Sequence, residues 1–234
     1  MDDITITHLN AINRAFYGMT AVDFDQSRAG PWPGWDVLLP YLATPLSVLD
    51  VACGNGRFGR FLFERLGTNV TYHGVDSNPA LLARARVVLA GHDAHLEQRD
   101  ILTEAPASGS YDLVVLFGML HHIPGHQQRR EFMRTLAERV APDGLLGFAA
   151  WRFYEYERFR RRFQPWPPDL VAEPGDYLLD WRRGTQAVRY CHHVDDDEHA
   201  ALITATGLRE LASFRADGHT GDVNRYSILR RDSS

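Results

Sequence analysis

The sequence contains no lysine, and all 25 basic residues among its 234 are arginine. The 30 acidic residues outnumber them, so the formal net charge at pH 7 is −5. A net negative charge argues against a protein that coats nucleic acid through its overall charge. Cysteine is also scarce, with only Cys53 and Cys191. They are too few and too far apart for a disulfide framework, which predicts reduced thiols and a cytoplasmic protein.

Long apolar runs are absent as well. No stretch of about 18 apolar residues occurs, so we expect no membrane-spanning helix and no membrane partner. The first ten residues, MDDITITHLN, are acidic and lack the order of a signal peptide. The length suits one domain with an insertion.

One segment, residues 47–59, has the order of a buried strand, a glycine turn and a helix start (SVLDVACGNGRFG). In the turn, Gly54 and Gly56 flank Asn55, and glycine there lets the backbone approach a ligand closely. Ala52 occupies the place of the first glycine in the nicotinamide fingerprint, and no Lys-Ser or Lys-Thr follows as in a P-loop. The open interpretations are a cofactor turn of another kind and a tight turn without a ligand.

Strands and helices alternate after this turn. The pattern predicts strands over 70–76, 111–116 and 145–151 and helices over 80–90 and 127–140. Apolar strands that alternate with helices indicate an α/β fold with a doubly wound sheet and crossover connections.

Asp76 ends the second predicted strand and has two interpretations. An acid at this position accepts hydrogen bonds from ribose hydroxyls in nucleotide-binding folds. The following Ser77-Asn78-Pro79 also resembles a helix start with proline in the first turn. Both roles are compatible with the sequence.

We interpret the chain, residues 1–234, as one domain with four segments. They are an N-terminal arm (1–40), a cofactor-binding core (41–151), a substrate-side insertion (152–193) and a C-terminal helix and hairpin (194–234). Four apolar residues of the arm have the spacing of a helix face, namely Leu9, Ile12, Ala15 and Phe16. The last segment predicts a helix over 195–207 and two antiparallel strands over 208–214 and 225–230.

Arginine is locally dense in the insertion. The first group is Arg158, Arg160, Arg161 and Arg162, and the second is Arg182, Arg183 and Arg189. These side chains form either a solvated face mixed with Glu155 and Glu157 or a patch that contacts phosphate.

Residues 47–59 and the elements after them resemble the class I S-adenosylmethionine-dependent methyltransferases. The resemblance implies a Rossmann-like doubly wound sheet and S-adenosylmethionine as cofactor. It also implies a set of cofactor-binding residues, namely Asp50, Ala52, Cys53, Gly54, Asn55, Gly56, Asp76, Ser77, Asp100, Ile101 and Phe117. A loop aspartate without a ligand is the plain alternative for Asp100.

Three further sequence motifs are more specific to one family: FDQSR-x-x-PWP from residue 24, RYCH from residue 189 and D-x-N-x-Y from residue 222. With these motifs the chain resembles the tRNA wobble-uridine methyltransferases that esterify 5-carboxymethyluridine. This resemblance implies a methyl ester product, a tRNA substrate and a small zinc-binding activator subunit as a possible partner. The substrate-side residues it implies are Arg28, His121, Arg189, Tyr190, His192, Asp222 and Asn224.

A carboxylate acceptor is ionised at neutral pH, so the implied reaction requires no strong general base. The protein must instead align the reacting atoms and exclude water. An arginine fork matches a carboxylate, which makes Arg28 and Arg189 the candidates for holding the acceptor. His121 and His122 follow a buried strand, so packing is an alternative role for them. Trp32 and Trp166 either stack on a base or pack in a rigid lid.

No metal site is expected. Several histidines lie near Asp195, Asp196 and Asp197, but their spacing is not that of a structural zinc site, and a capped helix explains the acids. Two other functions remain open: a small-molecule carboxylate or hydroxyl O-methyltransferase, and a non-catalytic module with a methyltransferase-like fold.

Overall fold

The computed structural model describes residues 1–26, 30–106, 108–183 and 185–233. Arg28 and the side chains of Arg182 and Arg183 lie outside the described residues. The α-helices are α1 (Asp3–Gln26), α2 (Arg57–Leu66), α3 (Pro79–Val88), α4 (His126–Ala137), α5 (Glu157–Arg160) and α6 (Asp196–Thr206). Short 3-10 helices cover Pro33–Tyr41, Leu120–His122 and Phe153–Glu155. The strands are β1 (Leu46–Val51), β2 (Val70–Asp76), β3 (Ala94–Gln98), β4 (Tyr111–Phe117), β5 (Val140–Trp151), β6 (Phe163–Gln164), β7 (Asp176–Arg183), β8 (Thr185–His192), β9 (Arg209–Ala216) and β10 (Asn224–Arg230).

Seven strands form one sheet in the order β3-β2-β1-β4-β5-β10-β9. The first five run parallel, and β10 pairs antiparallel with both β5 and β9. Strands β2 and β3 lie on one side of β1, and strands β4, β5, β10 and β9 lie on the other. The strand order therefore reverses between β1 and β4. The predicted doubly wound sheet with an antiparallel C-terminal hairpin is confirmed.

The central strands are apolar on both faces because packed layers cover both sides of the sheet. Val48 and Val115 belong to a core on one face, and Leu49 and Val114 belong to a core on the other. All four side chains are fully buried. This continuous apolar pattern is the reason that β1 and β4 could be predicted from the sequence.

Two strand boundaries differ from the prediction. The strand β3 was not predicted, because it lies at the edge of the sheet and has no fully buried residue. The strand β5 begins at Val140, five residues before the predicted start at 145, because Val140 pairs with Tyr111 ahead of a register irregularity. Polar residues around the intervening turn hide this early pairing in the sequence.

The N-terminal arm and the insertion pack against each other. Three strands of the insertion form a second, antiparallel sheet in the order β6-β7-β8, which the sequence pattern did not reveal. Leu9 of α1 packs on Leu178 and Tyr190, and Phe16 packs on Trp181. Although α1 is the longest described helix, neither it nor any other described helix is long and apolar enough to cross a membrane.

A buried network of charged side chains joins the small sheet to the main domain. The side chain of Arg129 on α4 is fully buried, and its Nε and Nη2 atoms lie 2.7 and 3.2 Å from Glu198 and Glu173. His192 at the end of β8 lies between Asp176, at 2.7 Å from Nδ1, and Glu198, at 2.6 Å from Nε2. We call these five residues the charge clamp.

The clamp favours protonated His192 and ionised Glu198. Burial by itself lowers the pKa of His192, but its two carboxylate hydrogen bonds raise it above the ordinary value overall. Burial raises the pKa of Glu198, yet the bonds to His192 and the charge of Arg129 bring it down to about 2. Removing one partner of such a network leaves a buried charge without compensation.

The first prediction concerns the clamp. We expect His192→Gln to lower the free energy of unfolding by about 3–5 kcal/mol near pH 6. The contribution of protonated His192 is complete below its unfolded pKa of about 6.5 and is lost as the pH rises through the raised folded pKa. The stability difference between wild type and variant should therefore shrink as the pH rises above 6.5. Urea unfolding at several pH values measures it.

His8→Gln is a matched control, because His8 is an exposed histidine on α1. It should leave both the stability and its pH dependence unchanged. A difference between wild type and His192→Gln that stays constant with pH would contradict the proposed charge state of the clamp.

Candidate active site at the carboxyl edge of the main sheet

A cavity of about 930 Å³ opens at the carboxyl ends of β1, β2 and β4. It lies at the point where the strand order reverses, which is where open α/β sheets bind ligands. The helix α1 and the small sheet also contribute to its walls. Its volume is at the upper end of the roughly 300–1,000 Å³ that ligand pockets occupy. There is consequently room for a cofactor and one small acceptor group.

The turn after β1 takes left-handed backbone conformations at three positions. The φ angles are 62° at Ala52, 57° at Gly54 and 78° at Gly56. A Cβ atom added to Gly54 would meet nothing within 4 Å, so open space lies above this residue. Ala52 adopts a conformation that ordinarily favours glycine, consistent with its place in the motif.

Gly56 has a different role from the predicted contact with the cofactor. A Cβ atom on Gly56 would lie 3.1 Å from the Cβ atom of Ala85 on α3. The residue is the N-cap of α2 and does not line the cavity. Its missing side chain allows α2 and α3 to approach closely.

Asp76 organises the turn rather than capping α3. Its Oδ2 atom accepts a hydrogen bond from the Gly54 amide at 2.9 Å, and its Oδ1 atom accepts one from the Asn78 amide at 2.8 Å. The cap of α3 is Asn78, whose side chain accepts from the amides of Ala80 and Leu81. Asp76 also lines the cavity, as do the predicted neighbours Ser77 and Asp100.

Asp50 supplies a second buried carboxyl at the end of β1. Burial raises its pKa to about 7, although the hydrogen bond from the Tyr72 hydroxyl, 2.5 Å away, opposes this rise. A carboxyl with such a pKa ionises readily when a cation comes close. Burial likewise raises the pKa of the Cys53 thiol, so this residue packs as an inert side chain.

The helix α1 holds the cofactor half of the cavity through three polar contacts. Asp25 accepts a hydrogen bond from the Asn55 side chain at 2.8 Å and pairs with Arg84 at 3.0 Å. Arg14 pairs with Asp100 at 2.8 Å. Sequence patterns gave no sign of these contacts, because each joins residues that are far apart in the chain. Ile101 and Phe117, which the resemblance implies bind the cofactor, line the cavity.

Arg189 dominates the other half of the cavity. Its guanidinium carbon lies 4.9 Å from the ring centre of Trp151, 5.3 Å from that of Phe16 and 5.7 Å from that of Trp181. The side chain is buried, and its Nε atom has no hydrogen-bond partner. Within the described ranges no carboxylate forms an ion pair with it. A cation enclosed by aromatic rings and without an ion-pair partner is suited to bind an anion.

Two other predicted substrate-side residues also line the cavity. His121 is buried, with its ring centre 5.1 Å from that of Trp151. Asn224 donates a hydrogen bond to Asp217 at 2.8 Å. Asp217 in turn accepts hydrogen bonds from the Tyr226 hydroxyl at 2.5 Å and the Gly34 amide at 2.9 Å.

Three predicted residues lie away from the cavity, so their expected place in the pocket has to be corrected. Tyr190 directs its hydroxyl to Asp176 at 2.7 Å, and His192 belongs to the charge clamp. Tyr190 and His192 are one and three positions after Arg189 on β8. Because side chains alternate between the two faces of a strand, both point away from the face of Arg189 and into the core. Asp222 accepts a hydrogen bond from Tyr156 at 2.6 Å, and it does not line the cavity.

The sequence analysis did not single out Arg57, which directly follows the glycine turn. Its guanidinium carbon lies 5.0 and 5.2 Å from the ring centres of Trp32 and Trp35. Burial lowers its pKa to about 10, against the raising effect of Asp50 and other nearby acidic groups. The sequence feature that could have identified Arg57 is its position directly after the glycine turn. Trp32 packs here within the wall of the cavity.

Trp166 contributes to packing outside the cavity. Its indole N–H donates to the Leu170 carbonyl at 2.9 Å, and its ring lies edge-on to Tyr190 at 6.3 Å between ring centres. This arrangement corresponds to the packing interpretation of the tryptophan.

His121, His122 and Cys191 bring three potential metal-ligand atoms within 4.8 Å of one another. Both ring nitrogens of His122 are already hydrogen-bonded, to the Tyr17 hydroxyl at 2.9 Å and to the Tyr190 carbonyl at 2.8 Å. Burial raises the pKa of Cys191 to about 11, which disfavours the thiolate that a metal requires. The group therefore does not fit a metal centre as it stands. Near the predicted helix start, Asp195 caps α6.

Comparison with known proteins shows similarity over the residues that form the first five strands of the main sheet. Residues 49–146 match the model of a methyltransferase domain. The fold is similar to the crystal structure of an S-adenosylmethionine-dependent methyltransferase from Methanosarcina mazei, with a TM-score of 0.69 and 17% identity. That match covers 88% of this chain and 100% of the other.

Curated relatives differ in the substrate that their names state. A tocopherol O-methyltransferase of Arabidopsis thaliana is 26% identical over 53% of this chain, and the match covers 35% of that protein. A tRNA (carboxymethyluridine(34)-5-O)-methyltransferase of Schizosaccharomyces pombe is 24% identical over 72% of this chain and 69% of its own length. The chain spans less than half the length of the tocopherol enzymes it matches.

These findings agree with the glycine turn, the acids at the strand ends and the cavity between β1 and β4. The domain match supports the predicted cofactor, S-adenosylmethionine. Residues 49–146 therefore resemble a methyltransferase domain, and the chain has the fold of the class I S-adenosylmethionine-dependent methyltransferases.

Proposed function

We propose that the protein methylates a carboxylate oxygen with S-adenosylmethionine as the donor, and that the acceptor is a carboxymethylated uridine of tRNA. The observation that carries the proposal is the enclosed Arg189, a buried cation that lines the cavity and has no ion-pair partner among the described residues. A planar guanidinium matches a carboxylate better than it matches a neutral hydroxyl.

The cofactor half of the cavity fits S-adenosylmethionine. Asp76 and Asp100 offer acceptors for hydroxyl and amine groups, and the open space above Gly54 allows close approach to the backbone. The buried carboxyl of Asp50 suits a ligand that carries positive charge. When bound, this cofactor supplies an electrophilic methyl group on a sulfonium sulfur.

On the acceptor side, Arg189 would hold the carboxylate through the oxygen that does not react. Contact with only that oxygen leaves the other oxygen free as a nucleophile. Trp151 and Trp181 restrict water beside the guanidinium, which strengthens its interaction with an anion. No side chain has to remove a proton, because a carboxylate is already ionised at neutral pH.

The tRNA acceptor is supported by the relative from fission yeast and by the sequence words around Arg189 and Asn224. A small-molecule acceptor is the second candidate, because the tocopherol enzymes are relatives and the cavity accommodates a small group. The small zinc-binding activator subunit stays a prediction. The cofactor-like cavity and the domain match favour an enzyme over a non-catalytic module.

The experiment that tests the function combines tRNA analysis with product chemistry. Nucleoside mass spectrometry of tRNA from a strain without this protein should show carboxymethyluridine in place of its methyl ester. Product labelled in the methyl group should lose the label in mild alkali, because esters hydrolyse and ethers do not. A label that survives alkali would reject the carboxylate acceptor and favour a hydroxyl.

We predict that Asp76→Asn weakens S-adenosylmethionine binding by roughly tenfold or more. The substitution removes the charge that strengthens an accepted hydrogen bond, worth about 1.5–3 kcal/mol, and disturbs the bond to Gly54. Isothermal calorimetry measures the affinity. Asp232→Asn is the control, since Asp232 is exposed near the end of the chain and should not affect binding. If the wild type, Asp76→Asn and Asp232→Asn bound the cofactor with equal affinity, Asp76 would stabilise the glycine turn without contacting the cofactor.

We predict that Arg189→Lys lowers kcat/KM on the acceptor by about a hundredfold, because lysine keeps the charge but loses the planar fork. Such a loss corresponds to on the order of 3 kcal/mol. Cofactor affinity should be retained, since Arg189 contacts the acceptor half alone. Arg209→Lys is the control, because Arg209 forms an exposed ion pair with Asp232. Turnover at the native rate in Arg189→Lys would exclude Arg189 as the carboxylate ligand.

A further inference from the structure

The segment between β5 and β6 carries arginines that the sequence left with two interpretations, a solvated face or a phosphate-binding patch. The structure shows where the acids of this segment are engaged. Glu157 pairs with Arg161 at 2.6 Å. Glu155 pairs with Arg152 at 2.7 Å and with Arg215 at 2.6 Å. Neither acid forms an ion pair with Arg158 or Arg160.

Arg158 and Arg160 lie over aromatic rings instead. The guanidinium carbon of Arg158 lies 4.9 Å from the ring centre of Phe159, and that of Arg160 lies 5.9 Å from the ring centre of Tyr154. Arg160 also donates a hydrogen bond to the Tyr154 carbonyl. Both side chains are exposed, and within the described parts of the chain no carboxylate lies within ion-pair distance of either. Their positive charge is therefore available to a partner.

Tyr154, the ring beneath Arg160, belongs to a group of three aromatic rings in nearly parallel planes. The rings of Phe163 and Tyr177 are 4.2 Å apart at 19°, and those of Tyr154 and Tyr177 are 5.2 Å apart at 24°. Tyr154 remains 41% exposed. An exposed aromatic ring next to cations without ion-pair partners is a combination that binds single-stranded nucleic acid, through base stacking and phosphate contacts. We call Tyr154, Arg158, Arg160, Phe163 and Tyr177 the mouth patch.

The mouth patch adjoins the acceptor half of the cavity. Arg158 lines the cavity itself, together with its neighbour Phe159. A Cβ atom on Gly218, another cavity residue, would lie 3.7 Å from the Nη2 atom of Arg158. A nucleotide whose base enters toward Arg189 would therefore leave its neighbouring nucleotides near this patch.

We propose that the mouth patch binds the RNA strand next to the acceptor nucleotide. Arg158 and Arg160 contact phosphates, and the exposed ring of Tyr154 stacks on a neighbouring base. This inference rests on the proposed function, since it places the tRNA acceptor at the same cavity. It also explains how a chain of net charge −5 can hold an RNA, because the positive charge is concentrated where the strand passes.

Direct binding tests the patch separately from catalysis. The probe is a fluorescein-labelled anticodon stem-loop with 5-carboxymethyluridine at the acceptor position, and anisotropy reports its Kd with the full-length protein. The double variant Arg158→Gln/Arg160→Gln should raise Kd roughly tenfold or more. Losing two phosphate contacts should also reduce the slope of log Kd against log salt by about 1.4. Tyr154→Leu should raise Kd severalfold without changing the slope.

The control is Arg134→Gln/Arg209→Gln, which removes the same charge from exposed positions outside the cavity and the patch. It should change Kd less than twofold. An unchanged Kd in the patch variant, or equal losses in patch and control variants, would overturn the inference. Thermal melting of each variant verifies folding.

Turnover distinguishes this inference from the proposed function. For the patch variant, the ratio of kcat/KM on the stem-loop to kcat/KM on free 5-carboxymethyluridine should fall at least tenfold. An equal fall on both substrates would count against the patch, because it would show damage to the cavity. If no carboxylate acceptor is methylated by the wild type, the proposed function fails, while the anisotropy series still decides whether the patch binds RNA.

Discussion

The part of the site around Arg189, the proposed acceptor half, depends on the buried ion pairs of His192. This residue ends β8, three positions after Arg189, and is held between Asp176 and Glu198. Glu198 is tied in turn to the fully buried Arg129 on α4. Because a broken pair would leave an uncompensated charge in the interior, the network permits little variation in the register of β8. It thereby fixes the strand that carries Arg189 against the main domain.

Arg189 itself has an unusual environment for a buried cation. Burial of a charge without an opposite charge is costly, and the three surrounding rings offset only part of that cost through cation–π attraction. Arg189 lines the cavity, so its positive charge can interact with an anion that enters there. A carboxylate that enters the cavity beside Arg189, as proposed, would reduce this cost. This is a physical reason to favour a carboxylate acceptor over a neutral hydroxyl.

The helix α1 connects the two halves of the site. Its C-terminal Asp25 bonds to Asn55 of the glycine turn, and its Arg14 pairs with Asp100. On the same helix, Phe16 belongs to the enclosure of Arg189, and Asn13 accepts a hydrogen bond from the Tyr190 amide. One helix therefore positions both the cofactor turn and the acceptor strand. Movement of α1 would alter both halves together.

The sequence by itself determined the main sheet, the glycine turn and the acids that follow it, because these features are local. The apolar runs of β1 and β4 and the turn residues from Ala52 to Gly56 fix nearby backbone without distant partners. It missed β3, whose side chains at the sheet edge lack a continuous apolar pattern. The sequence also predicted a cofactor contact for Gly56, whereas in the structure the missing side chain of Gly56 allows α2 to pack closely on α3.

Only the tertiary structure decided which of the predicted substrate-side residues line the cavity. Arg189, Tyr190 and His192 are adjacent in one sequence word, yet Arg189 faces the cavity while the other two face the core. Alternation along β8 separates Arg189 from Tyr190, and the carboxylates of the clamp draw His192 inward. The enclosure of Arg189 combines Phe16, Trp151 and Trp181, which belong to three separate segments of the chain. Packing between distant segments produces this arrangement, and no local sequence pattern encodes it.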